Sequence, residues 1–243
     1  MLEAEQKWLQ QLAVERREIP NPFVFGNPVD ERNASVFAGR QDLARQIEES
    51  ILGARQTPAL LLHGPRRMGK TSILKQLPRL LGPDFAPALL DCQSPAIAGA
   101  EATVRSLLRH CSASLSEGLQ RRRVEVKPLA AAELEREPFA AFEAWLDQAE
   151  KSMPATMRAL LCLDEYEKLQ RTLDAGWGGD FLDALRHTLQ HRPRFVLLFT
   201  GAHTFADFGA GLDGPVHQRP KGAGDFLETR RGAPVADQAD PGV

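Results

Sequence analysis

Long apolar runs are missing from this sequence. The longest reach about five residues, against the ~20 that a bilayer-spanning helix needs, so no membrane association is expected. An excess of one charge is missing too. Thirty Lys and Arg against 32 Asp and Glu leave a formal net charge of −2, so no global basic field points to nucleic acid as a partner. Cysteine is scarce. Cys92, Cys111 and Cys162 show no C-x-x-C spacing, and two of them sit in or at the end of apolar runs, so buried free thiols are expected rather than a disulfide or zinc framework. The opening stretch "MLEAEQKWLQQLAVERRE" lacks the apolar centre of a secretory leader. These absences together lead to the expectation of a soluble, cytoplasmic protein.

What is present is the composition of an ordinary globular chain. At 243 residues, 43% apolar and 26% charged, it can bury one sizeable core plus appendages. Residues 1–18 read as an amphipathic helix with Trp8, Leu9 and Leu12 on one face, and 19–40 as mostly extended loop. A helix follows with Leu43, Ile47 and Ile51 on one face and Gly53 as its stop. Four apolar runs come next: "PALLLHG" (58–64), "APALLDC" (86–92), "RALLCLDE" (158–165) and "RFVLLFTG" (194–201). They do not alternate, which suits strands covered on both faces, and helical patterns at 70–81, about 100–120, 138–152 and 179–191 separate them. Strands alternating with helices predict an α/β fold with a parallel sheet. From Gly209 onward 11 of 35 residues are Gly or Pro and no apolar run forms, so 209–243 is expected to be an irregular or disordered tail.

The first strand runs into "GPRRMGKTS". Gly64, Pro65, Arg66, Arg67, Met68, Gly69, Lys70 and Thr71 fit G-x-x-x-x-G-K-[ST], between an apolar strand and a helical pattern that starts with Lys70. The glycines let successive backbone N–H groups turn towards phosphate oxygens, and the helix that follows adds its positive N-terminal end. Lys70 can reach the β- and γ-phosphates as a point charge, and the Thr71 hydroxyl is placed to coordinate Mg²⁺. Such a site needs a carboxylate at a second strand tip. "LLCLDEYEKL" supplies Asp164 for the metal and Glu165 to polarise an attacking water. Glu167, further along, is read as a cap or a solvent-facing group.

With both motifs placed, the chain resembles the P-loop ATPases of the AAA+/STAND group, and within it a prokaryotic branch that carries "NPF", "F-x-G-R" and "GPRR-x-GKTS". Here these are Asn21-Pro22-Phe23, "VFAGRQDL" (36–43) and the cradle with Ser72. The resemblance covers roughly residues 19–205, within an ATPase core expected to span 19–208. It implies a three-layer P-loop NTPase sheet, ATP rather than GTP, and contact with the base by Phe37, Gly39 and Arg40. It also implies that Thr200, at the tip of "FVLLFTG", senses the γ-phosphate or orients water. The family continues with a fifth core strand and a lid, whereas this chain continues with the tail. The fifth strand and lid are therefore expected to be missing or aberrant, through truncation, a frame shift or supply from another chain, which would leave the cradle strand with an open edge.

The reading that results is Mg-ATP binding with slow hydrolysis as a conformational switch, carried by Lys70, Thr71, Asp164, Glu165 and Thr200, with self-association or a protein partner. The alternative is a non-hydrolysing nucleotide-binding scaffold. Two other motifs receive structural readings. "HTLQH" places His187 and His191 at i and i+4, a spacing that can hold a metal. Thr188 stands where a zinc hydrolase needs Glu, and the motif reads as a polar helix face. "RRRVEVK" (121–127) reads as a solvated basic loop.

Overall fold

The computed structural model describes residues 27–54, 57–203, 216–217 and 227–230. The expected helix at 1–18, and most of the stretch from 209, lie outside these residues. Six strands form one sheet in the order β2-β3-β4-β1-β6-β5. They are β1 (Ala59–His63), β2 (Phe85–Asp91), β3 (Arg158–Asp164), β4 (Phe195–Gly201), β5 (Val216–His217) and β6 (Leu227–Arg230). The first four are mutually parallel, as the sequence predicts. The helices are α1 (Gln41–Leu52), α2 (Lys70–Leu80), α3 (Pro95–Ala98), α4 (Val104–Arg121), α5 (Pro138–Ser152), α6 (Gln170–Asp174) and α7 (Gly178–His191).

Both faces of the sheet are covered, which explains the unbroken apolar runs. Side chains alternate across each strand, so Leu60, Leu62, Leu160, Cys162, Val196 and Leu198 meet α1 and α2, while Leu61, Leu161, Leu163, Leu197 and Phe199 meet the layer built from α4, α5 and α7. Phe142 and Trp145 of α5 stack at 6.0 Å within the second layer. All three cysteines are buried free thiols, and burial pushes the Cys111 thiol up to about 12.

Local chemistry fixes the helix limits. Thr103 and Ser106 form a reciprocal capping box at the start of α4, with the Thr103 Oγ1 accepting the Ser106 N–H at 3.2 Å and the Ser106 Oγ accepting the Thr103 N–H at 3.0 Å. At the other end of α4 the basic stretch leaves Arg121, Arg123, Glu125 and Lys127 exposed, as expected of a solvated loop, but it is anchored at the residues between them. Arg121 pairs with Glu117 and Glu31, and Arg122 donates to the carbonyls of Phe85 at 2.7 Å and Pro78 at 2.9 Å. Val124 and Val126 are buried. Arg122 is thereby held part-buried against backbone oxygens, while Arg121 pairs with its carboxylates at the surface.

The expected open edge of β1 is covered. β6, drawn from the stretch read as irregular, pairs antiparallel with β1 from Ala59↔Arg230 to Leu62↔Leu227, and β5 pairs with β6. A strand that adds antiparallel needs no crossover helix to reach its place, so a short segment with no helical pattern before it can fill this edge.

Helix α4 lies close on the edge strand β2. A Cβ at Gly118 would stand 2.7 Å from the Pro87 carbonyl oxygen and 3.1 Å from the Ala88 Cβ, whereas one at Gly179 in α7 would meet nothing within 4 Å. Gly118→Ala should therefore destabilise the fold by about 1–3 kcal/mol through overpacking, while Gly179→Ala should leave it unchanged or slightly more stable. Urea unfolding midpoints of the two variants would check this, and equal midpoints would contradict the packing described.

Candidate functional site: a phosphate cradle at three strand tips

The alternation that builds the core also aims the site. Asp164 and Thr200 continue the series Leu160, Cys162, Asp164 and Val196, Leu198, Thr200, so both point to the face that α2 covers. They are cross-strand partners, and Thr200 is also level with Leu62 of β1. The chain leaving β1 then turns through Gly64 to Gly69 and enters α2 at Lys70. Two residues of this turn hold left-handed conformations, Arg67 at φ 66° and Gly69 at φ 83°. The helix start at Gly69 has no side-chain cap, so its first-turn N–H groups stay available to an anion.

Asp164 is the junction. Its Oδ2 accepts the Thr71 hydroxyl at 2.7 Å and its Oδ1 accepts the Thr200 hydroxyl at 2.5 Å and the Glu165 N–H at 3.1 Å. The residue is only 3% exposed, and no ion pair among the described residues involves it. A buried carboxylate beside a hydroxyl is a hard-oxygen donor set, and Mg²⁺ fits it. Lys70 is likewise buried, its ammonium donating to the carbonyls of Gly64 at 2.7 Å and Pro65 at 3.0 Å. Pro65, Arg66, Arg67, Met68 and Gly69 are exposed on the rim.

Glu165 stands beside this junction in a left-handed backbone conformation, φ 51°, which costs a non-glycine residue on the order of 1–3 kcal/mol. Burial first, then the carboxylates of Glu167 and Asp164, push its carboxyl above the usual range, while Lys70 and Arg66 pull it down. Arg40 reaches the rim by donating to the Met68 carbonyl at 3.1 Å, and Gly39 before it turns at φ 77°. Phe37 packs part-buried against the core layer of α1 and α2. The Ser72 hydroxyl is turned away from the strand tips, where it accepts the Val29 N–H at 3.0 Å. Gln76, one turn on and fully buried, donates to the Asp30 carbonyl at 2.6 Å.

Glu167 does not face solvent. A 3₁₀ turn at Tyr166–Leu169 brings the chain back over the tip of β4, where Glu167 Oε1 accepts the Ala202 N–H at 3.1 Å and its Oε2 is buried without a hydrogen-bond partner. A Cβ at Gly201 would stand 2.1 Å from that Oε2 and 2.9 Å from the Tyr166 ring. The Tyr166 hydroxyl donates to the His203 carbonyl at 3.2 Å. The one sequence signal for this contact is the glycine directly after Thr200, which leaves room for Glu167 and Tyr166.

The recess between Arg40, His63, Met68 and Lys70 encloses about 10 Å³. A larger groove of about 370 Å³ lies elsewhere, between α2, β2 and α4. Asp164, Thr71 and Lys70 converge at the strand tips, and none of them lines the larger groove, which makes the tips the candidate site.

The raised Glu165 carboxyl carries a stability signature. The folded chain holds its proton to higher pH than the unfolded chain does, so the ionised group opposes folding at neutral pH. That opposition fades as pH falls through the raised folded value and is gone below the ordinary carboxylate value, ~4.3. Glu165→Gln should therefore unfold at a higher temperature than the parent at pH 7, with the gain vanishing on acidification. A gain that grew towards low pH would contradict the assigned environment.

No protein-family model matches this sequence, and no curated protein matches it. Among solved structures the fold is similar to that of a Walker-type ATPase of Pyrococcus abyssi, at 19% identity and a TM-score of 0.53, over 75% of this chain and 49% of that one. The chain thus spans about half the length of that ATPase. The likeness establishes the fold, a P-loop NTPase-like α/β sheet flanked by helices.

Proposed function

We propose that this chain binds Mg-ATP at the cradle and hydrolyses it slowly, as a conformational switch of the STAND type. The observation that carries the reading is the junction at Asp164, where hydroxyls from the cradle helix and from the tip of β4 meet one buried carboxylate. Lys70 and the first-turn N–H groups of α2 hold the phosphates. Thr71 and Asp164 hold Mg²⁺, which neutralises phosphate charge. Glu165 orients and polarises water, helped by an environment that moves its carboxyl towards neutral pH. Thr200 reports the γ-phosphate side to β4. From there a path leads outward, since Glu167 grips the Ala202 N–H and Tyr166 the His203 carbonyl. Phosphate occupancy at Thr200 is thereby coupled to the backbone that leaves the core at His203. Arg40 and Gly39 border the rim on the side proposed for the base.

Thermal unfolding with and without Mg-ATP tests this. At ligand ~100 times above its dissociation constant the folded state should gain roughly 2.7 kcal/mol. Lys70→Ala should abolish that gain, and Glu165→Gln should keep it while losing phosphate release. A cooperative transition that ignores Mg-ATP would overturn the reading. Binding with no turnover, unchanged by Glu165→Gln, would leave a nucleotide-bound scaffold in its place.

A further inference from the structure

The helix α7 carries chemistry that the cradle does not use. His187 and His191, four residues apart, lie on its exposed face with their rings stacked at 4.2 Å and 23°. Spacing alone left this as a polar face, and the structure adds what surrounds it. The His191 Nδ1 is 3.1 Å from the His187 carbonyl oxygen, which can only accept, so this nitrogen carries the proton. The His187 Nδ1 faces Glu143 Oε1 of α5 at 3.5 Å. The His191 Nδ1–H thus has an acceptor that leaves its Nε2 lone pair outward, and His187 Nδ1 lies within ion-pair reach of a carboxylate that favours the same tautomer.

We infer that His187 and His191 form a two-imidazole seat for a divalent transition-metal ion of the zinc, nickel or copper class, with Glu143 orienting His187 from the neighbouring helix. Metal-bound histidines characteristically pass the proton of the second ring nitrogen to a carboxylate or a backbone carbonyl, and this pair has one of each. Residues four apart on a helix are neighbours, and on this exposed face a turn of the imidazoles out of their stack brings both Nε2 atoms to a single ion. The cations nearby are occupied by carboxylates: Arg186 pairs with Asp183 at 2.6 Å, and Arg192 with Asp147 and Glu150. Among the described residues no set of three or more His, Cys, Asp or Glu side chains is arranged for a metal. Two protein ligands plus water is therefore the coordination this seat supplies. Imidazole favours Cu²⁺ over Ni²⁺ and Zn²⁺ and has little use for Mg²⁺. Because α7 packs on the sheet face opposite α2, the seat is independent of the cradle and of its proposed role.

Titration calorimetry of the full chain, without a histidine tag or nucleotide, tests the seat with Ni²⁺ and Zn²⁺ and with Mg²⁺ as control. The expected result is one ion per chain for Ni²⁺ and Zn²⁺ at this pair, with any Mg²⁺ heat unaffected by substitution of either histidine. His187→Ala and His191→Ala should each weaken binding at least tenfold, and Glu143→Gln should weaken it about tenfold at unchanged stoichiometry. Thermal unfolding without metal should be unaltered in all three, which separates loss of a ligand from loss of the fold. No heat with Ni²⁺ or Zn²⁺, or equal binding by the double alanine variant through His63, His110, His203 or His217, would overturn the seat. Glu143→Gln that binds as tightly as the parent would overturn the orienting role.

Discussion

One carboxylate holds the functional end of this molecule together. Asp164 closes β3, and its two oxygens accept hydrogen bonds from the hydroxyls of Thr71 at the start of α2 and Thr200 at the end of β4. Buried and with no cation from the described residues beside it, the carboxylate would be costly if these donors were lost. The sheet register makes the arrangement possible. Asp164 and Thr200 are direct partners, and the alternation along both strands sends them to the same face. A one-residue slip of β3 against β4 would turn one of them into the opposite layer and dissolve the junction. Core packing and site geometry are therefore one constraint seen at two places along the same strands.

The parallel core and the cradle were readable from sequence because their physics is local. A strand buried on both faces records itself as an apolar run, and a phosphate turn must be written in consecutive residues. Asp164 was found by its place after such a run. Contacts between residues far apart in the chain were less visible. β6 is four residues long in a Gly- and Pro-rich stretch and exists through its pairing with β1. The inward turn of Glu167 follows from the left-handed Glu165 and the 3₁₀ turn after it, neither of which has a periodic signature. In the "RRRVEVK" stretch the anchoring of Arg122 has no local signal, because its acceptors, the carbonyls of Phe85 and Pro78, lie about forty residues earlier. Glu143 beside His187 is likewise a meeting of two helices.

The tip of β4 shows how small residues make room for polar ones. Gly201 has no side chain, and the space goes to Glu167 and Tyr166, which hold the next two backbone groups. Two acidic side chains, Glu165 and Glu167, thereby stand near the Asp164 carboxylate, and burial first, then repulsion from its two neighbours, raises the Glu165 carboxyl. The conformations that allow this, a left-handed glutamate and a buried unpartnered carboxylate oxygen, work against stability. They sit beside the junction at Asp164, where the sheet is best able to bear them.

The short strap that leads into the domain has a mechanical consequence. Val29 is bonded to Ser72 and Asp30 to Gln76, so the segment entering the fold is fastened along the same helix whose first turn bears Lys70 and Thr71. A pull on that segment is a pull on the axis of the helix, felt at the phosphate cradle as a change in position. The reverse holds with equal force, since coupling between two sites is reciprocal. The strap thus keeps Val29 and Asp30 in one axial register with the helix that carries Lys70 and Thr71.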